Sequence, residues 1–340
     1  MLEKGENDMR DYLVKRIVVS LLVLWIVASL NFIIFQVVSP INPVDTFAPQ
    51  SLDVEPAQLE RLREIFGLND PLHIRYLKYT RNMFTFEFGI SFISRKPVVE
   101  EIAQRLPATI LLLGTATIAV ILVGVPLGIL AASKRGSKLD VAAIGAGLFT
   151  YGVPVFYIQL IFMLFFSYYC LITFGVQVFP VRGLYSIPAP TNPFAFMGDV
   201  AWHIALPVIT LVVGGFGSWA LYTRNVLLDA LTQDYIVTAR AKGLSERTVL
   251  YRHAFRSTLP PIVTIIALSI PGIITGAMIT EYIFTLPGIG RWYLDALTQA
   301  DYPVLQTVLF LYAILTIVCN LIADLLYGVL DPRIRVGMRR

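Results

Sequence analysis

The sequence predicts an all-α polytopic membrane protein with six transmembrane helices. Of the 340 residues, 56% are hydrophobic and 15% are charged, and the mean hydropathy is +0.70, which is too apolar for a soluble globular domain. A helix needs about 20 mainly apolar residues to cross a bilayer core of ~30 Å. These runs are continuous rather than alternating, which is typical of helices and not of membrane strands. Six runs are long enough: 17–38, 107–132, 141–172, 201–223, 260–280 and 304–330.

The first apolar run predicts a retained span rather than a cleaved signal peptide. It carries Asn31 and Gln36, and no small-x-small cleavage site follows it. The two cysteines, Cys170 and Cys319, fall within or at the edge of later spans. Two such cysteines form neither a disulfide framework nor a metal site, so we expect buried small apolar residues.

The distribution of Lys and Arg predicts a multi-pass protein of the plasma (inner) membrane with both termini in the cytoplasm. Of the 27 basic residues, 17 flank one side of the spans, and the two short connections on the other side carry only Arg182 and Arg291. The remaining eight lie in the long 39–106 connection, where charge has little influence on orientation. This topological bias explains the net charge of +4 and a pI near 9.0 without nucleic acid as a partner. The same basic side favours contact with anionic membrane lipid.

Residues 39–106 predict a small helical cap outside the membrane. Glu55-Pro56 is expected to open one helix and Gly67 to close it. Asp70 is expected to N-cap a second helix, with Pro71 at its first helical position. The alternative for this stretch is a loop without fixed structure.

The spans contain few side chains that could relay protons. The second and third spans have no ionisable residue, which disfavours a proton-coupled secondary transporter. Glu281, at the outer end of the fifth span, is interpreted as a solvated boundary residue. Polar side chains avoid lipid, and the candidates for lining a pathway or for packing between helices are therefore Asn31, Gln36, Gln159, Asn320 and Asp324. For Asp324 we favour a structural bond to the backbone or to Asn320 over a substrate or gating role.

No catalytic, cofactor or metal site is predicted from the sequence. It contains no G-x-x-x-x-G-K-[ST] phosphate loop, no H-E-x-x-H, no C-x-x-C and no G-x-S-x-G. The chain is therefore not predicted to be an enzyme. If it moves a solute uphill, the energy must enter from a partner.

The connection between the fourth and fifth spans, residues 224–258, is the most conspicuous polar segment. Its part from Asp234 to Arg256 is basic and longer than a simple connection needs. Tyr235 to Lys242 has helix-forming composition, with Ala239 and Ala241 leaving a surface of low relief. Gly243 allows the left-handed conformation that ends a helix. Ser245 is placed to cap a second helix, with Glu246 in its first turn. The pattern predicts a helix–turn–helix docking element, with a basic segment lying on anionic lipid as an equal alternative.

Several segments of the sequence resemble those of a known family. Ala239-Arg-Ala-Lys-Gly-Leu-Ser245 and Arg252-His-Ala-Phe-Arg256 are similar to the cytoplasmic signature loop of inner-membrane permeases of ABC importers, in the dipeptide and oligopeptide branch. The Glu-Ala-Ala with which the general motif begins is replaced here by Val237, Thr238 and Ala239. Further similar segments follow the same order: Gly67-Leu-Asn-Asp-Pro-Leu72, Arg105-Leu-Pro-Ala-Thr109, Pro287-Gly-Ile-Gly-Arg291, Asp301-Tyr-Pro-Val304 and Leu330-Asp-Pro-Arg-Ile-Arg335.

The resemblance implies a domain organisation and a set of partners. Residues 107–340 form a five-helix permease core, preceded by an extra N-terminal helix in 1–38 and the outer cap in 39–106. The implied partners are a second homologous permease, two cytoplasmic ABC ATPase subunits and an extracytoplasmic substrate-binding protein. The residues implied to couple to the ATPase are Tyr235, Ala239, Arg240, Ala241, Lys242, Gly243, Leu244 and Ser245.

The resemblance also implies half of a translocation pathway for di- or oligopeptides. Importers of this branch that carry oligosaccharides or nickel complexes are the first alternative, because selectivity resides largely in the separate binding protein. The alternative from another class is a stand-alone membrane channel or assembly protein that uses the loop to bind lipid or a scaffold.

Overall fold

The computed structural model describes residues 2–38 and 69–330, except for the side chains of residues 2–13, 267–277 and 324–330. Within these residues the chain is helical and contains no strand. This confirms the predicted all-α polytopic fold class. The helices are α1 (Leu2–Phe32), α2 (Leu72–Phe84), α3 (Val98–Ser133), α4 (Lys138–Gly152), α5 (Val155–Phe162), α6 (Cys170–Phe174), α7 (Pro193–Leu231), α8 (Asp234–Ala241), α9 (Glu246–Thr248), α10 (Arg256–Ile283), α11 (Ile289–Thr298) and α12 (Tyr302–Leu330).

Three π-helical segments join or extend these helices. Ile33–Val38 continues α1, Met163–Tyr169 links α5 to α6, and Val249–Phe255 links α9 to α10. Each therefore keeps its neighbours in one continuous helical path.

Five helical segments of the described chain are long and apolar enough to cross a membrane. They match the first, second, third, fourth and sixth predicted spans: Val14–Val38, Val98–Ser133, Val155–Phe174, Pro193–Leu231 and Tyr302–Ala323. The fifth predicted run, 260–280, lies within α10, a helix of 28 residues whose side chains are only partly described.

The third predicted run is not one helix. Proline has no backbone N–H and disfavours helical geometry in the residue before it. Accordingly, α4 ends at Gly152, Val153 is extended with φ −93° and ψ 120°, and α5 begins after Pro154. The predicted single span 141–172 was wrong at this point, since it contains a break at 153–154.

The fourth span is longer than its apolar run. Asn192 N-caps α7 by accepting hydrogen bonds from the N–H groups of Phe194 and Ala195, and Pro193 follows at the first helical position. The cap therefore starts the helix at Pro193, well before the apolar run at 201.

The outer cap is described only in its second part. The predicted helix from Glu55 to Gly67 lies outside the described residues. The second predicted helix is present as α2, but its N-cap is Pro71, not Asp70. The Asp70 carboxylate instead accepts a hydrogen bond from Lys78 Nζ at 2.6 Å, and no side chain caps the start of α2.

The chain divides into two compact units, Met1–Leu106 with Trp292–Leu321 and Pro107–Arg291 with Ile322–Arg340. In the first unit, α1 packs on α2 through Phe32 and Tyr76, whose ring centroids are 5.3 Å apart. The buried Asp301 carboxylate accepts hydrogen bonds from Ser91 Oγ and from the N–H of Phe92 at 3.0 Å. This anchors the loop before α3 to the start of α12.

In the second unit, α7 is the central helix and small residues bring its neighbours close. Gly217 of α7 faces Gly147 of α4, and a Cβ on Gly217 would collide with the Gly147 backbone. Gly124 and Gly128 of α3 likewise face the α7 backbone near Ala220. Close helix approach through small residues is the usual basis of packing in membranes.

Candidate functional site

The polar connection after α7 folds back onto the ends of the helices rather than projecting away from them. Helix α8 buries Ile236 and Ala239, with exposed fractions of 0% and 4%. These side chains belong to an apolar cluster with Ile129 of α3, Leu227 of α7 and Val249 of the π-helical segment. The connection is therefore packed against the helical bundle of the second unit.

A sharp turn follows α8, as the sequence predicts. Gly243 has φ +74°, a conformation that favours glycine, and its N–H donates to the Arg240 carbonyl at 2.9 Å. Ser245 N-caps the next helix by accepting from the N–H of Thr248. Arg240 donates to Glu246 across the turn, with Nε and Oε1 2.9 Å apart. The predicted local roles of Gly243, Ser245 and Glu246 are confirmed.

The second arm of the turn is not a separate helix. From Glu246 the chain passes through α9 and the π-helical segment Val249–Phe255 directly into α10. Tyr235 and Ser257 join the two arms, with hydroxyl oxygens 2.6 Å apart. The turn is therefore connected to α10 by a continuous helical path without an intervening loop.

The outer face of this connection carries most of the predicted coupling residues. Ala239 is the exception: it is buried against the bundle, so the low-relief surface expected from Ala239 and Ala241 is provided by Ala241 alone. The exposed members are Tyr235, Arg240, Ala241, Lys242, Gly243, Leu244 and Ser245.

A basic cleft lies beside this face. It is lined by Arg247, Thr248, Tyr251 and Arg252. Whereas Arg240 is paired with Glu246, neither cleft arginine has a carboxylate within salt-bridge distance in the described part of the chain. The surface as a whole is thus positively charged and suited to an acidic partner.

Asp140 and Arg224 form an ion pair that the sequence did not indicate. Arg224 Nε and Nη2 donate to the two carboxylate oxygens at 2.5 Å and 2.9 Å, and the Gly136 N–H donates to Oδ2 at 2.8 Å. The Asp140 side chain is only 3% exposed. The pair joins the first turn of α4 to α7 at Arg224, the first residue of the 224–258 connection. In the prediction of membrane orientation, Arg224 counted only as one of the basic residues that flank the spans.

Hydrogen bonding to Arg224 lowers the pKa of Asp140 to about 2. A carboxylate whose folded-state pKa is lowered stabilises the fold above its unfolded pKa of about 4 and loses that contribution as pH falls towards 2. We therefore expect Asp140→Asn to destabilise the protein at neutral pH by about 3 kcal/mol, since Arg224 is left without its counter-charge. Thermal unfolding of the purified protein should show this deficit at pH 7 and a smaller one at pH 3.

Asp229 offers a control, because it is exposed and lies on α7, the helix that carries Arg224. Asp229→Asn should melt like the wild type at both pH values. Equal melting of the Asp140→Asn protein and the wild type at pH 7 would contradict a stabilising role for the pair.

The polar candidates inside the spans have different environments. Asn31 is buried and its Nδ2 donates to the Gln306 carbonyl at 3.3 Å, and Gln36 Oε1 accepts from Arg75 at 2.6 Å. Gln159 is also buried, and its Nε2 donates to Thr280 Oγ1 at 2.7 Å. Asn320 is exposed on α12. The side chain of Asp324 lies outside the described residues.

Glu281 is not the solvated boundary residue that the sequence suggested. Its exposed fraction is 0%, and its carboxylate accepts from Thr109 Oγ1 at 2.7 Å and from the Arg291 N–H at 2.9 Å. Thr109 Oγ1 in turn accepts from the Ile289 N–H at 2.9 Å. Gly288 lies directly over the carboxylate, where a Cβ would collide with it. The segment Pro287–Arg291 thus wraps the carboxylate and fixes it to α3.

Comparisons with known proteins identify the family. The family model described as "Binding-protein-dependent transport system inner membrane component" matches residues 124–336, and the corresponding N-terminal model matches residues 9–113. The chain is 36% identical over 327 residues to "Oligopeptide transport system permease protein AppB" of Bacillus subtilis (strain 168), covering 96% of this chain and 99% of that protein.

Two dipeptide permeases are similarly related. "Dipeptide transport system permease protein DppB" of Escherichia coli (strain K12) is 37% identical over 313 residues, covering 87% of this chain and 90% of that protein. The DppB protein of Lactococcus lactis subsp. cremoris (strain MG1363) is 33% identical over 329 residues, covering 96% and 100%. The chain belongs to the family of binding-protein-dependent transport system inner membrane components.

Proposed function

We propose that this chain is the transmembrane permease subunit of an ATP-driven peptide importer. It forms half of the translocation pathway and couples to a cytoplasmic ATPase through the turn around Gly243. The observation that carries the coupling role is the continuous helical path from Glu246 through the π-helical segment into α10. The peptide cargo is supported by the names of the oligopeptide and dipeptide permeases that resemble it.

The proposal includes the orientation and the partners. The excess of Lys and Arg beside the 224–258 connection supports a cytoplasmic position for that connection and for both termini. A second permease subunit completes the pathway, two ATPase subunits supply the energy, and an external binding protein delivers the peptide. ATP binding by the partner moves the turn and switches the bundle between inward-open and outward-open states as a two-state rearrangement.

The docking role is tested by two alanines on opposite faces of α8. Ala241 is exposed and Ala239 is buried. We expect Ala241→Trp to fold with wild-type thermal stability but to co-purify with little or no ATPase, because the bulky side chain blocks close approach. Ala239→Trp should instead reduce the yield of folded protein, since an overpacked core costs about 1–3 kcal/mol or more.

The measurement is the ratio of ATPase to permease recovered on the affinity-tagged permease after co-expression of all subunits. A wild-type ratio for the Ala241→Trp protein would overturn the assignment of this face. Recovery of the wild-type chain alone, without ATPase, would favour a stand-alone channel or assembly protein.

The cargo is tested separately with the reconstituted importer and its cognate binding protein. Peptide should stimulate ATP hydrolysis and accumulate in proteoliposomes. Stimulation by an oligosaccharide or a nickel complex, with no response to peptides, would keep the importer class and reject the peptide assignment.

A further inference from the structure

Two arginines that follow the turn around Gly243 face away from the helical bundle. Arg247 and Arg252 are both exposed and line the same cleft. The neighbouring Arg240 is neutralised by Glu246, whereas no carboxylate of the described residues lies within salt-bridge distance of either cleft arginine. The cleft therefore carries two positive charges that the described part of the chain does not balance.

The π-helical segment Val249–Phe255 explains why these two arginines share a cleft. Neighbours on the surface of an α-helix are three or four residues apart, whereas the backbone bonds of a π-helix join residues five apart. Arg247 and Arg252 have this spacing of five. Val249 and Ala254 have it too, and both are fully buried against the bundle. Burial of one pair turns the other pair, two residues earlier, towards solution and fixes its direction.

The lining of the cleft is suited to a carboxylate or a phosphate. Each guanidinium carries five N–H donors and no acceptor, and its fork geometry matches two oxygens of one anion. Thr248 and Tyr251 complete the lining, and their hydroxyls can donate further hydrogen bonds to the same anion.

The position of the cleft argues against a lipid phosphate as its ligand. The fifth apolar run begins at 260, and the chain is helical from Glu246 to that point. At 1.5 Å per residue, Arg252 lies about 12 Å and Arg247 about 20 Å before the start of the run. The headgroup layer is about 5–8 Å thick on each side of the hydrocarbon core. Side chains also lean towards the N-terminal end of a helix, which here points away from the membrane.

We propose that this cleft binds an acidic side chain of the cytoplasmic ATPase, as a second contact beside the turn around Gly243. The inference rests on the proposed function, which supplies the ATPase, and adds the chemistry of its contact with the permease. A single contact at the turn leaves the partner free to pivot about it. A second contact on the same rigid arm, between Gly243 and α10, fixes the orientation of the ATPase relative to the transmembrane helix.

The first test measures the affinity of the purified ATPase for the permease pair in lipid nanodiscs. The double variant Arg247→Glu, Arg252→Glu should bind the ATPase about a hundredfold more weakly, because an attractive contact becomes repulsive. Its binding should also respond less to salt than that of the wild type. Arg256→Glu is the matched control, since Arg256 is exposed on the same helical path but does not line the cleft. It should bind with wild-type affinity.

The second test identifies the acidic partner and does not depend on a charge reversal that could disturb folding. Arg247→Lys and Arg252→Lys keep the positive charge and introduce a primary amine at the cleft. A water-soluble carbodiimide activates a carboxylate and is released as its urea when the amine of a lysine in direct contact forms the amide. Mass spectrometry of the assembled importer should find this amide between position 247 or 252 and an Asp or Glu of the ATPase. Arg256→Lys should give no such product.

The outcomes separate this inference from the proposed function. Wild-type affinity of the double glutamate variant would overturn the acidic contact and leave the proposed coupling role in place. Failure of the wild-type permease to bind the ATPase would reject the proposed function itself. Cross-linking at position 256 as efficient as at the cleft would overturn the specific site, because any surface charge would then suffice. An anionic phospholipid that co-purifies with the wild type and is lost from the double variant, with ATPase affinity unchanged, would make the cleft a lipid site instead.

Discussion

Glu281→Ala is expected to prevent accumulation of a folded importer. The substitution removes the acceptor of the buried Thr109 hydroxyl and of the partly buried Arg291 N–H. A hydrogen bond contributes about 0.5–1.5 kcal/mol, and a buried donor left without its acceptor adds a desolvation penalty of about 1–3 kcal/mol. Two such losses approach the whole stability of about 5–15 kcal/mol typical of a folded protein. The measurement is the yield and melting temperature of the purified complex.

Two further variants help to distinguish the effect of losing the carboxylate from the effect of losing side-chain volume. Glu281→Gln keeps the shape and one acceptor oxygen and should be milder than the alanine variant. Glu100→Ala removes an exposed glutamate from α3 and should leave yield and melting unchanged. A Glu281→Ala protein that melts at the wild-type temperature would show that the wrapped carboxylate does not hold the Pro287–Arg291 segment in place.

The spans could be predicted because hydrophobic length is a local property of the sequence. Their interruptions could not. Pro207 stands inside α7 without ending it, whereas Pro154 separates α4 from α5. A proline in a membrane helix is tolerated when neighbours satisfy the freed backbone groups, so its effect depends on packing that the apolar run does not reveal.

The candidate site, too, could be predicted only in part. Gly243 and Ser245 could be assigned their conformations because a left-handed turn and an N-cap depend on a few adjacent residues. Whether Ala239 or Ala241 faces outward depends on how α8 is rotated against α3 and α7, which only the folded chain decides. Glu281 was misjudged for a related reason: its partner Thr109 is distant in sequence, and a carboxylate beside a span end is usually solvated.

Gly243→Trp is expected to leave a membrane-inserted, folded permease that no longer transports. Gly243 has φ +74°, which costs a non-glycine residue roughly 1–2 kcal/mol, but a Cβ there meets no atom within 4 Å. The fold can therefore accept the side chain, while the surface of the turn cannot, since the indole projects where a partner must approach. A hundredfold fall in peptide uptake is expected, equivalent to about 2.7 kcal/mol of lost docking free energy. The ATPase bound per permease should fall with it.

Gly175→Trp is the matched control, because Gly175 also ends a helix with positive φ, +67°, and open space around its Cβ. It should have a similar effect on stability but retain bound ATPase, since it does not lie in the 224–258 connection. Gly243→Asn should transport nearly normally, because asparagine tolerates the left-handed conformation and adds little bulk.

Normal uptake by the Gly243→Trp protein would show that the ATPase does not act on the permease through this turn. Equal loss of bound ATPase in both tryptophan variants would attribute the defect to strain in the fold. Loss confined to Gly243→Trp, with Gly243→Asn active, would locate the coupling contact at the surface of this turn.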